Sequence, residues 1–262
     1  MVAMASATPM TTLHFSPQLL TNRAVVCLTG EDVLPFLNNL LTAELKAQSP
    51  TYAALLSPQG KILHDMFVVP EGDTVWLDVS QLQAGELLKR LMMYRLRAKI
   101  EIVMDDSKAV AVSSSAELPG LVYVDPRLLG IGYRAIVEAG AVAVGVGYDA
   151  ARLVLGLADS DADIGSGDLF VHEANMDQLH GVHFNKGCYV GQEVVSRTHH
   201  RHTTRNRILP VSFLGAIDKG ADILSGELRI GTMLSSEGAR CLALLRLDRL
   251  AEAKAPILTV GV

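Results

Sequence analysis

Residues 185–193 read N-K-G-C-Y-V-G-Q-E, which places a thiol, a cation, an aromatic ring and two glycines within nine positions. Gly187 and Gly191 lie on either side of Cys188, and glycine lets the backbone take positive φ or approach a neighbour closely. Apolar and polar residues alternate over 179–184, which predicts a short extended segment. Because good helix formers follow Gly191, we expect a strand, a glycine loop and the start of a helix.

Cys188 is the residue in this stretch that carries the most reactive group. The expected geometry places its sulfur near the positive end of a helix, two residues after Lys186. Both surroundings favour the thiolate, which is the nucleophilic and metal-binding form of cysteine. We interpret Cys188 as a functional thiol and Lys186 as its charge partner. The plainer alternatives stay open: a lone cysteine is usually a small buried hydrophobe, and a loop lysine is often only solvated.

The cysteine stretch and several other segments resemble the YgfZ-type folate-binding proteins, which are relatives of the glycine-cleavage T-protein, an aminomethyltransferase. The resemblance runs from about residue 13 to residue 248, and the K-G-C-Y-x-G-Q-E motif is its most specific part. The other matching segments are residues 36–42, 56–62, 94–97, 125–127 and 173–177.

The resemblance implies an α+β fold with two ferredoxin-like α+β units, the aminomethyltransferase-like folate-binding fold, and a small C-terminal β-barrel. The residue pattern independently predicts β-α-β-β-β-α-β in the first part of the chain, close to a ferredoxin-like unit with one extra strand. Short β-like runs with glycine turns near the C-terminus are typical of a small barrel or sandwich. We expect an α+β region over 14–201, in units of about 14–104 and 105–201, and a barrel over 202–262.

The implied ligand is tetrahydrofolate. Tyr189 would stack on the pterin ring, and the Glu193 carboxylate would accept parallel hydrogen bonds from it. Arg197 or the later arginines would bind the glutamyl tail. The plainer alternatives are a half-buried loop aromatic for Tyr189 and helix-dipole compensation for Glu193. The full set of expected folate-binding residues is Gly187, Tyr189, Gly191, Gln192, Glu193 and Arg197.

The resemblance also implies a role in the assembly, insertion or repair of Fe–S clusters, with indirect effects on Fe–S enzymes such as those that thiolate tRNA. One cysteine cannot hold a cluster alone. A transient cluster at Cys188 would therefore be shared with an Fe–S carrier or client protein.

Two alternatives stay open. The first is a tetrahydrofolate-dependent aminomethyltransferase or demethylase, for which Asp65 is the candidate acid. His64 stands where T-proteins have the other acid of a doublet, which weakens this alternative. The second is a non-catalytic adaptor that only senses folate. The sequence leaves open whether the protein is an enzyme.

Composition limits the other classes of function. A net charge of −5 over 262 residues argues against non-specific binding to nucleic acid, although residues 196–207 hold four arginines and three histidines. The adjacent His199 and His200 point to different faces of a helix, and no C-x-x-C pair occurs, so we expect no resident metal site. Three widely spaced cysteines and the lack of a long apolar run predict a cytoplasmic protein without a membrane segment.

Overall fold

The computed structural model describes residues 2–4, 13–201, 203–213, 215, 217–253 and 259–261, and the structural statements below concern these residues. The helices and strands in chain order are β1 (Val2–Met4), β2 (Gln18–Leu19), β3 (Arg23–Thr29), α1 (Val33–Asn38), β4 (Thr51–Leu56), β5 (Ile62–Glu71), β6 (Thr74–Ser80), α2 (Ala84–Arg95), β7 (Glu101–Met104), β8 (Lys108–Ser113), β9 (Leu121–Val124), β10 (Tyr133–Glu138), α3 (Tyr148–Val154), a π-helical turn (Ser160–Ile164), α4 (Gln192–Arg201), β11 (Asn206–Phe213), β12 (Asp222–Ser225), β13 (Leu228–Glu237), β14 (Arg240–Arg246), α5 (Leu247–Glu252) and β15 (Thr259–Gly261).

The first α+β unit is a five-stranded antiparallel sheet in the order β4-β5-β6-β3-β7, with α1 and α2 on one face. Successive side chains of a strand point to opposite faces. On β5, Met66 and Val68 therefore pack in the apolar cluster beneath the helices, whereas Phe67 and Val69 pack on the other face. That second face is the one that meets the rest of the protein.

The remaining strands form two further sheets. One has four strands in the order β2-β8-β10-β9, and the other has six in the order β1-β11-β14-β13-β12-β15. All their ladder pairings are antiparallel. This mixture of helices and antiparallel sheets confirms the expected α+β class. No helix of the described residues is long and apolar enough to cross a membrane.

The two N-terminal strands pair with partners far along the chain. β1 pairs with β11 of the six-stranded sheet, and β2 pairs with β8 of the four-stranded sheet. Residues before β3 thus contribute to sheets that are otherwise built from later segments. The expected boundaries near 104 and 201 stay predictions.

A buried network of ion pairs joins the first sheet to the second. Asp78 on β6 accepts hydrogen bonds from Arg23 on β3 (2.5 Å from Nε) and from Arg134 on β10 (2.5 Å from Nη2). Arg127 binds Asp125 in the same region at 2.8 Å. All five side chains are buried. Burial opposes the charge of Arg134, but Asp78 and its neighbours hold the pKa of Arg134 above the ordinary value.

We predict that Asp78→Ala lowers the free energy of unfolding by about 3–5 kcal/mol, because it leaves buried arginines without their counter-charge. Urea unfolding of the purified variant measures the change. Asp222→Ala is the control, since it breaks the exposed Asp222–Arg229 pair and is expected to cost less than about 1 kcal/mol. Equal losses in the two variants would contradict a stabilising role for the network.

Candidate functional site

The cysteine loop, residues 185–193, packs directly on the turn between β4 and β5. Gly191 has φ +82°, and a Cβ there would lie 2.6 Å from the Ser57 carbonyl oxygen. Gly60 in the turn has φ +81°, and a Cβ there would lie 3.0 Å from Cβ of Val194. Each glycine is therefore required both by its backbone conformation and by the close approach.

The expected strand before the loop is wrong, whereas the expected helix after it is confirmed. Residues 179–184 form turns and irregular backbone, and α4 begins at Gln192. His180 has φ +57°, outside the extended region that a strand requires. The segment is instead held through Thr42, whose hydroxyl donates to the Gly181 carbonyl at 2.6 Å and whose carbonyl accepts from the His183 N–H at 3.0 Å. These two hydrogen bonds take the place of the backbone ladder that a strand would form.

Lys186 has a different role from the charge partner expected from the sequence. Its ammonium donates to the carbonyl oxygens of Asn38 (2.7 Å), Leu41 (2.6 Å) and Ala43 (3.3 Å), just after α1. It also lies 5.2 Å from the ring centre of Tyr189. Burial lowers the pKa of Lys186 to about 8. Lys186 therefore anchors the loop to the end of α1.

Tyr189 is part of the core and not an open stacking platform. Its side chain is buried and packs in the apolar cluster that includes Leu56, Ile62 and Val195. Burial raises the pKa of the phenol to about 12. The protein itself covers the ring that we expected to stack on a pterin.

The other expected site residues of the loop and helix lie at the surface. Gly187, Cys188, Glu193 and Arg197 are exposed, and Gln192 is half-buried.

Cys188 is the exposed one of the three cysteines. Cys27 is half-buried and Cys241 is buried. Burial raises the pKa of both of these other thiols. The structure thus separates Cys188 from the two cysteines that the sequence places in apolar strands.

Asp65 lies apart from the loop, in the buried space between the first two sheets. Its carboxylate accepts a hydrogen bond from the Tyr52 hydroxyl at 3.1 Å, and burial raises its pKa. The neighbouring His64 is also buried, and burial lowers its pKa to about 4. Asp65, the candidate acid of the transferase alternative, has neither Cys188 nor Lys186 among its hydrogen-bond partners or among the residues that line its cavity.

The residues present do not fit tetrahydrofolate in this central space. The cavity lined by Asp65 and the buried arginines has a volume of about 20 Å³, which is room for about one water molecule and far too little for a pterin. A wider groove of about 780 Å³ lies between the first two sheets, lined by residues such as Pro70, Tyr123 and Leu129. Neither space is lined by a residue of 185–193 or by Arg197.

An aromatic stack that the sequence did not reveal joins the segment just before the loop to α4. The rings of Phe184 and His199 lie 3.7 Å apart between centroids and nearly parallel, and His172 stacks on the same pair. Stacked rings do not direct their nitrogens to one point. Among the described residues no three His, Cys, Asp or Glu side chains converge on a metal-sized space. His202 lies outside the described residues.

Comparison with known proteins shows the origin of this architecture. Residues 205–262 match the family model described as the CAF17 C-terminal beta-barrel domain. The whole fold resembles the glycine cleavage system aminomethyltransferase T from Bartonella henselae, with a TM-score of 0.76 over 97% of this chain and 83% of that one. Identity to that enzyme is 15%, so the likeness shows the fold alone. The chain has an aminomethyltransferase-like fold with a C-terminal β-barrel, as expected.

Curated relatives overturn one expectation. The match from Mycosarcoma maydis, 31% identical over 73% of this chain, is named as a mitochondrial homolog of the iron-sulfur cluster assembly factor IBA57. The other relatives described below carry the same location in their names, so the predicted cytoplasmic location is wrong. That prediction relied on cysteine usage, which reports a reducing compartment without saying which one.

The extent of each match decides how far the relatives inform this chain. This chain spans 56–64% of the length of the first fungal relatives. It is 31% identical to the human mitochondrial IBA57 protein over 271 residues, which cover 86% of this chain and 76% of the human one. The chain therefore belongs to the family of the iron-sulfur cluster assembly factor IBA57.

Proposed function

We propose that this protein is an Fe–S cluster assembly factor that offers Cys188 as one thiolate ligand to a cluster shared with a carrier or client protein. Family membership supports the role in cluster assembly. The observation that carries the proposal is one exposed thiol on a loop that is otherwise fixed to the fold. Such a thiol reaches a partner without any rearrangement of its own backbone.

Anchors on both sides of Cys188 hold that backbone in place. Lys186 binds the carbonyls after α1, and Gly191 lies against the turn after β4. Tyr189 and Val190 between them pack against two different apolar clusters. Contacts therefore fix the loop at Lys186, two residues before Cys188, and from Tyr189 onward.

Gly187 is the one glycine of the loop that the fold itself does not require. A Cβ built there meets no heavy atom within 4 Å, and its backbone angle is not in the left-handed region. Gly187 therefore borders open space at the position directly before Cys188. Such space suits the close approach of a cluster or of a partner's backbone.

The chemistry is a ligand exchange. One carrier Fe–S(thiolate) bond breaks and an Fe–S bond to Cys188 forms, while the Cys188 proton passes to the released carrier thiolate. The iron oxidation states do not change. Biological clusters normally have four protein thiolates, so this chain needs a partner to supply the others. Fe–S enzymes served by the partner, including those that thiolate tRNA, would respond indirectly.

We propose in addition that the protein binds tetrahydrofolate, as the YgfZ-type proteins do. The aminomethyltransferase-like fold supports it, and a groove of about 780 Å³ has a volume typical of ligand pockets. The residues expected from the motif line neither of the two spaces described above, so no chemical step is assigned to folate. The transferase alternative has less support, because Asp65 is buried away from the loop. The adaptor alternative would need no thiol.

We predict that iodoacetamide alkylates Cys188 faster than Cys27 or Cys241, whose burial restricts access. Mass spectrometry of timed digests measures the three rates. Cys188→Ser and Cys188→Ala should both fail to restore Fe–S enzyme activity in a deletion strain, while their melting temperatures stay near that of the wild type. Full complementation by Cys188→Ala would rule out an essential thiol and favour the adaptor.

The two glycines of the loop give a matched pair of variants. Gly191→Ala should cost about 1–3 kcal/mol of unfolding free energy, because alanine is strained at positive φ and its Cβ would clash with the Ser57 carbonyl. Gly187→Ala should change stability by less than about 0.5 kcal/mol and still reduce Fe–S enzyme activity in the deletion strain. Normal activity of Gly187→Ala would contradict the idea that the open space admits a partner.

For the folate proposal we predict measurable binding of tetrahydrofolate to the groove by equilibrium dialysis. Leu129→Glu places a negative charge in the groove, which repels the glutamyl carboxylates, and should weaken binding, whereas Glu193→Gln at the loop should not. No binding at millimolar tetrahydrofolate would remove folate from the proposal. A loss confined to Glu193→Gln would return the ligand to the cysteine loop.

A further inference from the structure

Helix α4 presents a basic face directly after the cysteine loop. Of its ten residues only Val195 is buried. Arg197, His200 and Arg201 are all exposed, and a spacing of three to four residues places them on one side of a helix. These three residues are named the α4 stripe.

The fold does not use the arginines of the stripe. Among the described residues neither Arg197 nor Arg201 takes part in an ion pair, whereas Arg207, six residues further on, pairs with Asp177 at 2.7 Å. Two exposed arginines one turn apart repel each other. Glu193, four residues before Arg197, offsets at most one of the two positive charges. The two arginines give α4 a local positive charge in a chain whose net charge is −5. Their charge is therefore available to a binding partner.

The position of the stripe connects it to Cys188. Arg197 and Arg201 follow Cys188 by nine and thirteen residues, and the ten-residue helix that carries them is about 15 Å long. A standard protein interface covers about 800 Å² on each partner, which is a patch about 30 Å across. A partner that places its own cluster ligands at Cys188 and extends along α4 would therefore meet the stripe within one interface of ordinary size.

We propose that the α4 stripe docks an acidic patch on the protein that shares the cluster with Cys188. This inference rests on the proposed function and adds the chemistry of the partner's surface. Complementary charge accelerates encounter and selects against wrong partners more than it adds affinity. The stripe orients the partner, and Cys188 makes the bond to iron.

Two other anionic ligands fit the stripe less well. Nucleic acid is disfavoured because a chain of net charge −5 lacks the broad positive field that phosphate backbones require. The glutamyl tail of a folate would need its pterin held nearby, and neither of the two spaces described above is lined by a residue of the cysteine loop or by Arg197. A protein surface requires no such pocket.

The test uses the purified full chain and the double variant Arg197→Glu/Arg201→Glu. The probe is a fluorescein-labelled decaglutamate peptide followed by anisotropy at low and physiological salt. We expect the double variant to weaken peptide binding at least tenfold, and salt to weaken wild-type binding. In a deletion strain the double variant should lose Fe–S enzyme activity while its melting temperature stays within a few degrees of the wild type.

Arg95→Glu/Arg97→Glu at the end of α2 is the matched control, since it reverses two other exposed arginines. It should bind the peptide within twofold of the wild type and keep the Fe–S enzyme active. Equal losses in the control, or no peptide binding by the wild type, would contradict the inference. Tighter binding of decauridylate than of decaglutamate would assign the stripe to RNA. Pentaglutamyl tetrahydrofolate that binds ten times more tightly than free pentaglutamate would assign it to folate.

A separate arm distinguishes this inference from the proposed function. Glutathione-coordinated [2Fe–2S] complex presents a cluster without a protein surface. The double variant Arg197→Glu/Arg201→Glu should accept the cluster from this complex as well as the wild type does. Cys188→Ser should not accept it. If the wild-type protein accepts no cluster from the glutathione complex, the proposed function is contradicted. If only the double variant fails to accept it, the docking role is contradicted.

Discussion

The carboxylate of Asp78 holds two sheets together by accepting hydrogen bonds from Arg23 of its own sheet and Arg134 of the next. A carboxylate with no exposed surface is costly to bury unless it is fully paired, and here two arginines pair it. Beside this network, the cavity lined by Asp65 and the buried arginines has a volume of only about 20 Å³. The protein thus has an aminomethyltransferase-like fold in which side chains fill the space around Asp65.

This constraint moves the candidate chemistry from the centre to the surface. Asp65, the acid that a transferase would use, is enclosed between the sheets beside Tyr52. Cys188 is exposed, at the edge of the first sheet, on a loop that Lys186 and Gly191 fix from both sides. A fixed, exposed thiol next to a glycine that borders open space is suited to a macromolecular partner more than to an enclosed small substrate.

Local patterns in the sequence predicted much of the fold. Alternation and turn residues located the strands of the first unit, and the glycine loop located the start of α4, because both signals depend on neighbouring residues. The partners of Lys186 lie more than 140 residues earlier in the chain. Asp78 likewise meets Arg134 from 56 positions away. Periodicity contains no information about such pairs, so the anchor and the ion-pair network could not be predicted.

The same limit explains the errors at the site. Tyr189 looks like a loop aromatic in sequence, but its burial depends on the packing of β4 and α4 around it. The choice of Cys188 as the thiol of interest used local signals, its glycine neighbours among them, and its role stays a prediction.

The most direct test is visible absorption spectroscopy of the anaerobic protein mixed with iron and sulfide. With glutathione present to supply the missing ligands, the account predicts cluster absorbance that requires Cys188, and none when glutathione is omitted. Equal absorbance from the Cys188→Ser protein would contradict the claim that this thiol is a cluster ligand.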